Sequence, residues 1–140
     1  MKILTTFAAA AVVAACASVP AIAGPAEDMA KARIASIASG DLDAVAAGYA
    51  DGAQLHWVGG PLDGTYTTPE QIGGIWQKFT SAQGEQTAEI AMTSEAANPA
   101  GATVTADVVF KGKNAVPVRY VLVYRGDKVA DEIWQVNPAQ

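Results

Sequence analysis

The sequence predicts an α+β domain, with helices first and antiparallel strands after, and three observations carry that prediction. Apolar residues recur at helical spacing only before Gly84. Alternation with a period of two fills the stretch after Gln86, and short Gly, Pro or Asn clusters break that stretch at strand-length intervals. A chain of 140 residues suits a single core, so no second domain is expected.

The chain opens on a leader. Lys2 precedes an apolar run from Ile3 to Ala15, and Ala21-Ile22-Ala23 before Gly24 presents the small residues a signal peptidase needs, so residues 1–23 read as a cleaved export signal and 24–140 as the mature domain. The run is shorter than the roughly 18–20 residues that span a bilayer, so no transmembrane helix is expected. The alternative leader is a lipobox, Val13-Ala14-Ala15-Cys16, which would anchor an envelope lipoprotein through Cys16. Either way the product is exported, periplasmic or secreted. With Cys16 the only cysteine, no intramolecular disulfide and no thiolate metal cluster can form.

Helix one spans Ala26 to Ser39, with Ala30, Ile34, Ile37 and Ala38 on one face, Glu27 and Asp28 at its positive end and Gly40 as its stop. Asp41 caps a second helix that buries Leu42, Val45, Ala46 and Tyr49 and closes at Asp51-Gly52. A short strand follows over Ala53 to Val58, then a loop through Gly59-Gly60-Pro61 and Asp63-Gly64. Thr68-Pro69-Glu70-Gln71 has capping-box order, and Ile72, Ile75, Trp76 and Phe79 continue as helix three.

Four strands complete the chain: Gln86–Ala96, Ala102–Lys111, Ala115–Arg125 and Lys128–Val136. A three-residue Gly112-Lys113-Asn114 loop puts Val104, Ala106, Val108 and Phe110 on one face with Val116, Val118, Tyr120 and Leu122, and sets Asp107 opposite Arg119 on the other. A two-residue Gly126-Asp127 turn then pairs Tyr120 with Ile133, Leu122 with Asp131 and Arg119 with Trp134. That register turns Asp131 inward and Trp134 outward. The outer face would carry Val121, Val123, Ala130 and Trp134 among charges, an apolar surface that predicts a homodimer through it, or cover from the C-terminal tail.

This element order resembles the NTF2-like superfamily, in which a curved, mainly antiparallel sheet wraps three N-terminal helices into a cone, the cystatin-like arrangement. Local words agree with SnoaL-like and ketosteroid-isomerase-like members: Gly40-Asp41-Leu42-Asp43-Ala44-Val45, Tyr49-Ala50-Asp51-Gly52-Ala53, Pro61-Leu62-Asp63-Gly64-Thr65-Tyr66 and Lys128-Val129-Ala130-Asp131. The resemblance covers residues 26 to 138. It places Trp57 where a steroid isomerase has its carboxylate base, Arg33 where it has the oxyanion tyrosine and Val118 where it has the protonated acid. An indole cannot abstract a proton near neutrality and valine donates none, so that mechanism is not expected.

Other chemistry is sparse. His56 is the only histidine, which excludes a multi-histidine zinc site, and no phosphate loop, dinucleotide fingerprint or Gly-x-Ser-x-Gly is present, so neither metal nor cofactor is expected. With the leader removed, eight basic residues face fourteen acidic ones, net −6, without a basic stripe, which argues against nucleic acid. Two acid/base candidates remain. His56 turns outward if Leu55 and Trp57 turn inward, although a short following loop could reverse this. Asp131, on an apolar inner wall, is either a ligand-facing acid or the partner of Arg33 in a structural ion pair. Tyr49, Trp57, Trp76, Phe79 and Tyr120 converge on the interior. The expected function is a small hydrophobic molecule held in the cone by Arg33, Tyr49, Trp57, Trp76, Val118, Tyr120 and Asp131, without catalysis. The alternatives are an enzyme working through Asp131 or His56, and an envelope interaction module centred on Arg119 and Trp134.

Overall fold

The structure, a computed structural model, describes residues 24–138; the leader expected over residues 1–23, with Cys16, lies outside them. The elements are α1 (Pro25–Ser39), α2 (Leu42–Ala47), β1 (Tyr49–Val58), β2 (Gly64–Tyr66), α3 (Pro69–Gln83), β3 (Thr87–Asn98), β4 (Gly101–Lys111), β5 (Ala115–Arg125) and β6 (Lys128–Val136). The strands form one sheet in the order β2-β1-β6-β5-β4-β3, antiparallel throughout except where β1 runs parallel to β6. This is the NTF2-like α+β architecture that the element order predicts. Among the described residues no helix is long and apolar enough to cross a membrane.

Local chemistry explains the helix ends. Thr68 Oγ1 accepts the Gln71 N–H at 3.2 Å, which satisfies an orphan donor of α3, and Gln71 Oε1 reaches back to the Thr67 N–H just ahead of the cap at 3.1 Å. The α1 N-cap, Gly24, has no side chain to offer. Glu95 on β3 supplies the missing acceptor to the Glu27 N–H at 2.8 Å, so sheet and helix are tied where the helix dipole favours an anion.

The β4–β5 register is the one the apolar pattern demands. Asp107 pairs with Arg119, joined by a bond of 3.0 Å, and Val104, Ala106, Val108, Phe110, Val118, Tyr120 and Leu122 are all buried.

The β5–β6 register departs from expectation by one residue. Arg125 pairs with Lys128 and Tyr124 with Val129, but Val123 then pairs with Asp131, so Ala130 is an extra residue in a β-bulge. Because side chains alternate with period two, one inserted residue reverses every later position. Tyr120 therefore faces Trp134 rather than Ile133, and Leu122 faces Glu132 rather than Asp131. Asp131 points outward with 44 % of its side chain exposed, and Trp134 is fully buried. The inward Asp131 and the outward Trp134 are both overturned by this bulge.

Two smaller corrections arise in β1. The second helix stops at Gly48, so Tyr49 starts a strand instead of completing a helical face; Val129 N–H bonds to Gly48 O at 2.8 Å and recruits the chain to β6. The Gly59–Gly64 loop leads into a short strand, β2, which pairs antiparallel with β1 at Leu55, His56 and Trp57.

Candidate functional site

The concave face of the sheet is filled at one end by aromatic rings. Trp134 lies 5.0 Å from Trp57, 4.9 Å from Trp76, 5.3 Å from Phe79 and 4.9 Å from Phe110, centroid to centroid, stacked on Trp57, tilted against Phe110 and edge to face with Trp76 and Phe79. Val118 is buried on the same wall. Trp57 and Val118, expected to line an open cone, are packed core, because the bulge swings a third indole into the space they would have bordered.

Beside this cluster stands a buried polar network centred on Glu132, which is wholly inaccessible to solvent. Tyr49 Oη donates to Glu132 Oε1, and Tyr120 Oη donates to Oε2. Arg33 Nη2 reaches Oε2 at 3.3 Å, its Nε donates to Tyr120 Oη at 2.9 Å, and its Nη1 donates to Val45 O at 3.0 Å. Trp76 Nε1 donates to Tyr49 Oη at 2.7 Å, and the guanidinium carbon stands 4.4 Å over the Tyr49 ring. A Cβ at Gly48 would sit 2.9 Å from Arg33 Nη1, so the glycine gives the guanidinium its room.

The electrostatics follow from burial. Desolvation, then the Glu132 charge, pushes the Tyr49 phenol far above its ordinary value, and burial does the same to Tyr120, so both stay protonated donors. Burial alone would lower the Arg33 pKa, but Tyr120, Glu132 and Tyr49 outweigh it and hold the guanidinium charged. Each oxygen of Glu132 already receives a donor, which fixes the group as a carboxylate acceptor.

A cleft of about 300 Å³ opens between α2, the first turns of α3 and the start of β1. Leu42, Ala46, Ala53 and Ile72 supply its apolar walls, Asp51 and Thr67 its rim, and Tyr49 with Trp76 joins it to the network behind. Gly73 also lines it, and a Cβ built there would meet nothing within 4 Å. This volume is at the lower end of ordinary small-molecule sites.

Four of the expected site residues, Arg33, Tyr49, Trp76 and Tyr120, are thus brought together, two of them on the cleft. Asp131 is not. It faces His56 on the outer sheet surface, with His56 Nε2 3.1 Å from Asp131 Oδ1 and His56 Nδ1 3.3 Å from Thr65 Oγ1, and neither residue lines the cleft. The Arg33 ion pair expected with Asp131 is made by Glu132. Sequence reasoning missed Glu132, yet a signal existed: Val129 and Trp134 are both strong core residues five apart, an odd spacing that strict alternation cannot bury on one face.

The profile of the SnoaL-like domain family matches residues 30–134, which contain the whole network and the cleft, and that match supports a domain that binds small molecules. Among curated proteins none matches the chain by sequence. Similar solved structures include an NTF2-like protein of unknown function from Pseudomonas putida KT2440, at 15 % identity and TM-score 0.68, covering 82 % of this chain and 86 % of that one. A cystatin-like-fold protein from Nostoc punctiforme shares 13 % identity at TM-score 0.65, over 80 % of this chain and 88 % of that one. A ketosteroid isomerase-like-fold protein from Catenulispora acidiphila, in complex with trimethylamine, shares 21 % at TM-score 0.57, over 80 % and 85 %. At these identities the likenesses show the fold alone.

Proposed function

The chain belongs to the SnoaL-like domain family, and on that footing we propose that it is an exported, non-catalytic binder of a small, mostly apolar molecule held in the cleft between α2, α3 and β1. The observation that carries this reading is the cleft itself, about 300 Å³ with Leu42, Ala46, Ala53 and Ile72 as apolar lining and open space beside Gly73 that a larger side chain could enter. The sealed state of Glu132 supports the absence of catalysis, since a carboxylate with both oxygens occupied and no exposure has no route to a substrate proton. His56 and Asp131 lie across the sheet from the cleft, which disfavours an enzyme built on either.

Titration of the mature chain with small lipophilic molecules, followed at the Trp76 indole N–H by NMR, tests the reading. Saturable shifts at Trp76 that vanish in Gly73→Leu, with the thermal midpoint unchanged or raised, are expected. A Gly73→Leu variant that binds as the parent does would refute it.

The outer face of the sheet supports a homodimer, as a second part of the proposal. Ile133 is 39 % exposed there beside half-buried Val121 and Val123, with the Asp107–Arg119 pair close by on neighbouring strands. The envelope-interaction alternative would use the same face, with Ile133 in the place assigned to Trp134.

A further inference from the structure

We infer that the cleft selects ligands bearing a hydrogen-bond donor, an alcohol or a protonated amine on an apolar body, and rejects carbonyl and carboxylate compounds of the same shape. This rests on the cleft being the binding site. The Tyr49 oxygen carries one proton and two lone pairs. The proton is committed to Glu132 Oε1, and one lone pair receives Trp76 Nε1 at 2.7 Å. What the phenol can still offer is an acceptor.

The proton cannot readily be turned toward a ligand. Glu132 is buried with Arg33 at 3.3 Å and Tyr120 on its other oxygen, and withdrawing Tyr49 would leave a buried carboxylate oxygen unsatisfied. Near the start of α3 the lining offers few further donors. Pro69 has no N–H, and the Thr67 N–H is held by Gln71 Oε1 at 3.1 Å. The Thr67 hydroxyl is the remaining side-chain donor, and the same lining holds an acceptor-only carboxylate, Asp51. At the Tyr49–Trp76 end of the cleft both side-chain protons are committed, so a ligand carbonyl meets no free side-chain donor there, whereas a hydroxyl or ammonium would find the Tyr49 oxygen.

Four molecules of one shape separate these cases: cyclohexanol, cyclohexylamine, cyclohexanone and cyclohexanecarboxylate, with methylcyclohexane as the apolar reference. Titrated into the full mature domain at pH 7 and read at the Trp76 indole N–H, the alcohol and the amine should bind about 10-fold more tightly than the ketone and the carboxylate, the return expected of one well-made hydrogen bond in a dry site. In Tyr49→Phe, checked for folding by circular dichroism, the preference should collapse to within about twofold while methylcyclohexane binding persists. Equal affinity for alcohol and ketone in the parent, with methylcyclohexane bound, overturns the selectivity and leaves the cleft as the site. Failure of all five to bind overturns the cleft reading and this inference with it.

Discussion

Replacing Glu132 by Gln removes one charge and no volume, and its effect can be worked from the network. Glu132 is fully buried and Arg33 is 7 % exposed, so the substitution leaves a buried guanidinium without its counterion. Either orientation of the new amide also sets an NH2 against a donor: against Tyr49 on one side, or against Tyr120 and Arg33 on the other. Breaking a buried pair from one end costs about 3–5 kcal/mol, a large part of the roughly 5–15 kcal/mol that holds a domain together. For a domain of this size each kcal/mol moves the thermal midpoint by about 4 °C, so Glu132→Gln should melt about 12–20 °C below the parent. Urea unfolding followed by far-ultraviolet circular dichroism should show the lower midpoint with an unchanged slope. Removing both charges, in Arg33→Met with Glu132→Leu, should recover at least half of the loss. A single variant that loses less than about 1 kcal/mol would mean that the pair is solvent-screened, and the reasoning about a sealed network would fail.

Three further outcomes are expected. Asp131→Ala, one residue away but on the outer surface, should change stability by no more than about 0.5 kcal/mol, measured by the same urea titration. Tyr124 is buried with its hydroxyl unpartnered, and burial, opposed by Arg33 and reinforced by Glu132, raises its pKa to about 12. An unfolded tyrosine ionises near 10, so this group's contribution is complete below pH 10 and is lost as pH rises toward 12; Tyr124→Phe should be neutral or up to about 1 kcal/mol more stable at pH 7 and should fall less steeply above pH 10. If the parent sediments as the proposed dimer, Ile133→Asp should sediment as monomer while circular dichroism stays native; a parent that is monomeric would refute the dimer, and a variant that remains dimeric would place the interface elsewhere.

The parts of this protein that could be read from the residues are those decided between near neighbours. Helix α3 follows from the Thr68 cap and the Ile72, Ile75, Trp76, Phe79 stripe, because cap and stripe are separated by a few residues and their energies hardly depend on the rest of the chain. The β4–β5 hairpin follows from its three-residue loop and the Asp107–Arg119 match for the same reason. Tyr49, Trp76, Tyr120 and Arg33 could be named as inward-facing, and they are.

What joins them was only half legible, since the odd Val129–Trp134 spacing shows that alternation breaks in β6 but not at which residue. Whether β6 turns Asp131 or Glu132 inward depends on one extra residue, Ala130, and that bulge forms where β6 must pair with β5 on one side and with β1 on the other, strands far apart in the chain. Alternation is a local rule without information about where a sheet has to bend to close over its helices. The same long-range pairing ends α2 at Gly48 and carries Tyr49 to the carboxylate. The network, the plugged cone and the displaced cleft thus belong to the folded molecule, because a carboxylate finds an arginine 99 positions away only after the sheet has chosen its curvature.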